Sequence, residues 1–228
     1  MRFAAVAGTA ARALLSATVP LQGLVNRVRP THAFINRQAR LILTTDGLSD
    51  IAARLQAWAP LLDRGSDWAD GGWRNATHMY DPRRNRGLWD WPAATAVCDE
   101  YFSRAVRAWR QGSARRTAFL LGAAAHVLQD LCVPHHAAAR LLDGHAAFEA
   151  LGEGLRSAFP VYCGGRYGVA ATPAGWVRAN AWRALEYLPL TTGGAGPEPM
   201  AEAIADLLPL AQRTTAGFFA FFFETAGR

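Results

Sequence analysis

Apolar positions recur at intervals of three and four along most of the 228 residues, and strand-like alternation is nearly absent. That pattern predicts a chain built of helices. In THAFINRQARLIL (31–43), Phe34, Ile35, Leu41 and Ile42 mark one face, with Thr31 placed as the N-cap. SDIAARLQAWAPLL (49–62) predicts a second helix that starts at Ser49 or Asp50. PAATAVCDEYFSRAVRAWRQG (92–112) predicts a third, Pro92 suiting its first turn and Gly112 its stop. SARRTAFLLGAAAHVLQDL (113–131) predicts a fourth, which ends ahead of Pro134 because the residue before a proline disfavours helix. Further helices are expected over 145–157, 175–187, 199–209 and 211–225. A polar stretch, 63–91, reads as one long loop, of the kind that usually carries function in a compact domain. Residues 191–199 read as a plain linker. With no repeat and no second domain, the expected fold class is all-α, a single compact multi-helix domain.

Composition sharpens this picture in three ways. Apolar residues make up 51% and charged residues 18%, which suits one domain with a sizeable core and excludes a disordered chain. All 24 cationic residues are Arg, and the net charge of +6 favours anionic partners without choosing between lipid phosphates and nucleotides. Cys98, Cys132 and Cys163 are odd in number and lack CxxC spacing, so no disulfide framework is expected. The N-terminal segment 1–27 reads either as a weak secretion signal interrupted by Arg12 or as a packed helix, and residues 28–228 as the domain proper. A secreted or cell-surface location and a cytoplasmic one both stay open. No segment reaches the ~20 apolar residues needed to span a bilayer.

Candidate chemistry concentrates in HVLQDLCVPHHAAARLLDGHAAFE (126–149), which holds four of the six histidines. His126 and Asp130 are four apart, as are His145 and Glu149, so each pair shares a helix face and can converge on one ion. The small residues GAAA (122–125) would let their helix sit deep among its neighbours. Buried polar groups must be satisfied, and a metal would do so. Imidazole with carboxylate and no thiolate is the ligand mix of a catalytic zinc site. For any one of these residues, capping or core hydrogen bonding is the commoner role; for the spaced set together it is not. Past the turn at Pro134, His135 and His136 should point in different directions.

HVLQDLCVPHH matches an H-x-x-x-D-x-x-x-P-x-H pattern and resembles the zinc-dependent bacterial phospholipases C. Other segments resemble the same family in the same order: THAFINRQA, GSDWAD, HMYDP, GHAAFE and TAGFFAFF, covering residues 31 to 225. The resemblance implies a zinc-dependent phosphodiester hydrolase, a phospholipase C, with two to three zinc ions in one cleft of an all-helical domain. It places Asp70, His78, His126 and Asp130 on one zinc, and His136, His145 and Glu149 on a second. His32 would share a third with Asp130 as the bridge, and His135 falls outside the set. Asp70 is also the candidate catalytic base, preferred over Asp67 because it stands last in GSDWAD. The implied partner is a phospholipid at a membrane surface, met by a monomer without a transmembrane segment and without a stable nucleic-acid partner.

The chain also departs from the family pattern. The family's third zinc uses an N-terminal Trp, whereas the first Trp here is Trp58. Gly71 and Asn75 stand where aromatic residues contact choline in the bacillus-type enzyme, so choline preference is not expected. S1/P1-type nucleases share the zinc architecture, but Glu149 and HMYDP favour the phospholipases. A non-catalytic, zinc-stabilised helical binding module is the alternative from another class. RRNR (83–86) is expected to be a solvated loop, and FFAFFF (218–223) to pack in the core.

Overall fold

A computed structural model describes residues 30–227. Its helices are α1 (Pro30–Thr45), α2 (Ser49–Ala57), α3 (Ala59–Asp70), α4 (Ala94–Arg110) and α5 (Ala114–Asp130). A single turn, α6 (Pro134–Ala137), is followed by α7 (His145–Leu155), α8 (Pro173–Leu185) and α9 (Pro197–Ala226). Short 3₁₀ turns cover Gly72–Thr77, Arg156–Ala158 and Leu188–Leu190. Among the described residues there is no β-strand, only an isolated bridge between Asp81 and Arg86. The N-terminal segment 1–27 lies outside the described residues.

α5 is the innermost element, with every residue from Leu120 to Asp130 buried. α3 and α4 flank it, and α9 closes the core with Phe218, Phe219 and Phe222 fully buried. The phenylalanine run is therefore core, as its helical spacing predicted. Phe102 of α4 meets Phe218 at 5.2 Å and Phe222 at 5.6 Å between ring centroids. Cys98, Cys132 and Cys163 are all free thiols.

Close approach of α3 and α5 depends on two glycines. A Cβ at Gly65 would stand 1.9 Å from the Phe119 carbonyl oxygen, and one at Gly122 would stand 2.0 Å from that of Leu62. Each helix thus presses its backbone against the other where no side chain intervenes. Ser66 Oγ donates across the same crossing to the Gly122 carbonyl at 3.1 Å. This crossing sets the depth at which His126 and Asp130 lie.

Four expectations change. The helix predicted over 49–62 breaks at Trp58, which ends α2 and precedes α3, because Pro60 has no N–H to continue the hydrogen-bond ladder of α2 and suits the first turn of a new helix. α3 then runs on to Asp70, into the stretch expected as loop; its buried face is Leu62, Gly65, Ser66 and Ala69, too small and polar to register as an apolar stripe. The helices expected over 199–209 and 211–225 are one, α9, which passes through Pro209. An interior proline costs about 3 kcal/mol, and the buried Leu207, Leu208, Leu210 and Ala211 around it offset that cost. Thr31 lies inside α1 and is not its cap.

We predict that Gly65→Ala and Gly122→Ala each destabilise the protein by about 3 kcal/mol, since either Cβ must push two backbones apart. Gly154→Ala, an exposed position in α7 with nothing within 4 Å of the added carbon, should instead stabilise by about 0.5–1 kcal/mol. Urea unfolding of the three variants checks both signs.

Candidate metal centre

Asp130, the last residue of α5, is the hub of the site and only 5% exposed. His126 stands one turn earlier, with Nε2 3.1 Å from Asp130 Oδ2. His78, which follows the 3₁₀ turn, donates from Nδ1 to the same oxygen at 2.9 Å. His32 of α1 brings Nε2 to 3.5 Å from Oδ1, and His136 of α6 brings Nδ1 to 3.8 Å from Oδ2. A second group adjoins this one. Glu149 Oε1 lies 3.1 Å from His145 Nε2 and 3.4 Å from His136 Nε2.

Backbone geometry delivers these side chains. α7 begins at His145 because Gly144 adopts a left-handed conformation (φ 96°), where a Cβ would meet the Thr191 carbonyl oxygen at 2.4 Å. The segment 191–199, expected as a plain linker, therefore packs on the start of α7. Asp143 ties the two together, its Oδ1 accepting from Gly193 N–H at 2.9 Å. His135 is fully buried, donates from Nε2 to the Asp143 carbonyl and stacks on His145 with ring centroids 5.1 Å apart. Its Nε2 is taken by the Asp143 carbonyl, while the adjacent His136 turns Nε2 towards Glu149, the different directions expected past the turn at Pro134.

Hydrogen bonds also choose which imidazole nitrogen carries a lone pair. His32 Nδ1 donates to Gln129 Oε1 at 2.8 Å, which turns Nε2 towards Asp130. His136 Nδ1 donates to the His78 carbonyl at 3.1 Å, which leaves Nε2 for the Glu149 side. Fixing one nitrogen so that the other can bind is how metal-ligating histidines are oriented. Gln129 is held in turn by its Nε2, which donates to Asn36 Oδ1 at 2.9 Å. Gln129 escaped the sequence reading, because a single amide beside Asp130 carries no signal until α1 is packed against α5.

Electrostatics follow from burial and charge together. Burial pushes the Asp130 carboxyl up, but His126 and His136 outweigh it and hold the group well below the usual range. Glu149 is treated the same way by hydrogen bonds from His136 and His145. Burial pulls His78 down to about 4, whereas at His136 the Asp130 and Glu149 carboxylates overcome burial and raise it to about 9. Both carboxylates are thus ionised around neutral pH.

All eight predicted site residues come together. Asp70, at the C-terminal end of α3, lines one polar pocket with His32, Asp130, His136, His145 and Glu149. Asp70 also acts electrostatically on His32 and His126. Asp67, one turn earlier, does not line that pocket; burial and the neighbouring Asp63 raise its pKa. His78 and His126 reach the set through Asp130. Sequence reasoning missed Met79 and Leu141, which line the same pocket as apolar walls. Arg83 is engaged with Asp81 at 2.9 Å, and Arg84 and Arg86 are exposed, so RRNR is the solvated loop expected.

The donor set fits a cation. His78 Nε2 and His126 Nδ1 are buried without a hydrogen-bond partner, an arrangement costly for imidazoles unless something else satisfies them. Two groups have ligand atoms mutually within 4.8 Å: His32, His126 and Asp130, and His136, His145 and Glu149. Both combine imidazole with carboxylate and lack thiolate, as catalytic zinc sites do.

No curated protein sequence gives a significant match to the chain. Solved structures do resemble it. Alpha-toxin of Clostridium perfringens from an avian strain superposes with a TM-score of 0.75 at 20% identity, over 86% of this chain and 64% of the toxin. Alpha-toxin of Clostridium absonum superposes with a TM-score of 0.77 at 19% identity, over 87% of this chain and 64% of that one. The likeness thus spans less than two thirds of either toxin, and at this identity it speaks for the fold. Residues 31–181 match the family model described as zinc dependent phospholipase C, about two thirds of the sequence and all eight site residues. The chain belongs to the zinc-dependent phospholipase C family.

Proposed function

We propose that the protein is a phospholipase C, a zinc-dependent phosphodiester hydrolase that releases diacylglycerol and a phosphorylated headgroup. The observation that supports it most is the pair of ionised carboxylates, buried Asp130 and half-buried Glu149, ringed by five imidazoles with unpartnered nitrogens among them. Without cations, Asp70, Asp130 and Glu149 together would repel a phosphodiester.

His136, His145 and Glu149 would hold one zinc, and Asp70, His78, His126 and Asp130 another. His32 and Asp130 would share a third. Zinc bound there supplies a lowered pKa for bound water and charge relief on phosphoryl oxygens. The Asp70 carboxylate, at the pocket wall, orients the attacking water and accepts its proton. Gln129 and the His78 carbonyl keep the His32 and His136 lone pairs aimed inward. Asn75 lines the pocket where an aromatic contact to choline would otherwise stand, so strict choline selectivity is not expected. Among the described residues no helix is long and apolar enough to cross a membrane. The reading is of a monomer acting at a membrane surface, secreted or displayed on the cell.

Four outcomes are predicted. Elemental analysis after mild dialysis should find two to three zinc ions per chain. Asp130→Asn should lose more of them than His32→Asn, because Asp130 faces four imidazoles and His32 faces one carboxylate. Mixed phospholipid vesicles should yield diacylglycerol while single-stranded DNA stays intact at equal enzyme. Rapid DNA cleavage without diacylglycerol would assign the site to a nuclease, and silence on both with zinc bound would make it a binding module. Asp70→Asn should lower turnover by about 100-fold or more, the scale of a lost general base, while most of the zinc stays bound. Activity that survives Asp70→Asn and vanishes in Asp67→Asn would move the base by one turn of α3.

A further inference from the structure

Behind the polar pocket lies a second cavity of about 280 Å³, walled by α1, the end of α5, α7 and α9. Its lining is mainly apolar, with Ile35, Phe148, Ile204, Leu207 and Leu208 among its walls. His32, Asp130 and Glu149 line it too, and the same three side chains line the polar pocket that holds Asp70, Asn75 and His145. The residues that gather charge therefore form a wall common to two spaces of opposite character. A ligand that touches this wall with an anionic group has a polar space on one side and an apolar one on the other.

Helix α7 holds the apolar space open. Gly152 lines it in mid-helix, where glycine is a poor helix former. A Cβ there would meet nothing closer than Ile204 at 3.9 Å, so a larger side chain would enter the cavity without displacing backbone. Clefts of roughly this size, walled mainly by apolar side chains with a few polar groups at one end, are the usual form of a small-molecule site. Such a space beside an anion-handling centre matches an amphiphile, with its phosphate at the shared wall and a hydrocarbon chain in the cavity.

We propose that this cavity binds one acyl chain of the substrate lipid and so sets a preference for chain length. The substrate identity rests on the phospholipase reading; the cavity's affinity for a hydrocarbon chain attached to a phosphate does not.

The test is calorimetric titration of the zinc-supplemented protein with inorganic phosphate, butyl phosphate and dodecyl phosphate, the last kept below its micelle concentration. Dodecyl phosphate should bind roughly 100-fold more tightly than inorganic phosphate, the modest end of what burying a run of methylenes gives. Gly152→Leu should shrink that advantage to roughly threefold or less while inorganic phosphate binds unchanged. Ala150→Trp, an exposed position that also lines the cavity, should act in the same direction without burdening the fold. Equal affinity for all three phosphates in the parent protein would overturn the proposal, including the case in which other residues of the chain fill the space. So would an advantage that survives both variants. Binding that depends on chain length without diacylglycerol release would sink the hydrolase reading alone, and diacylglycerol release without such binding would sink the cavity alone.

Discussion

The Asp130 carboxylate is the constraint on which the rest of the structure depends. It is almost wholly removed from water, and four imidazoles stand 2.9 to 3.8 Å from its oxygens. A buried charge with no compensation is strongly unfavourable, so those partners must be delivered with precision. They come from four separate places: α1, the turn before residue 78, α5 itself and α6. Each element is fixed by something other than the imidazole it carries. The glycine crossing of α3 and α5 sets the depth, Gln129 and Asn36 lock α1 to α5, and the Tyr80 N–H donates to the His136 backbone carbonyl at 2.9 Å.

From that constraint follows a division of labour within the domain. Carboxylates and imidazoles gather where the ends of α3 and α5 and the start of α7 converge, and this places the polar pocket. The apolar faces of α1, α7 and α9 meet on the other side of the same residues. His135 shows how little of this arrangement is decorative. Although outside the predicted ligand set, it is buried against His145 and pins the Asp143 carbonyl, which supports the imidazole that pairs with Glu149.

Legibility varied with the kind of signal each segment carried. α5 and α7 were readable because His126 and Asp130, and His145 and Glu149, repeat the helical period in residues too uncommon to recur by accident. α3 was only half readable, since Gly65, Ser66 and Ala69 make a face by fitting closely and not by being apolar. The passage of α9 through Pro209 could not be read locally. A proline's cost is local, whereas the burial that offsets it comes from other helices.

By itself, then, the sequence determined the helical class, the residues able to bind a cation, and the family to which they belong, because these properties reside in residue type and spacing. Tertiary structure alone decided which nitrogen of His32 and of His136 faces inward, since that depends on Gln129 and the His78 carbonyl. It also decided that Asp70 lines the pocket while Asp67 does not, although both are acids on one helix. The same packing set the apolar cavity against the far side of the charged cluster. Spacing along a chain says which side chains share a face; what that face meets is settled only when the helices pack.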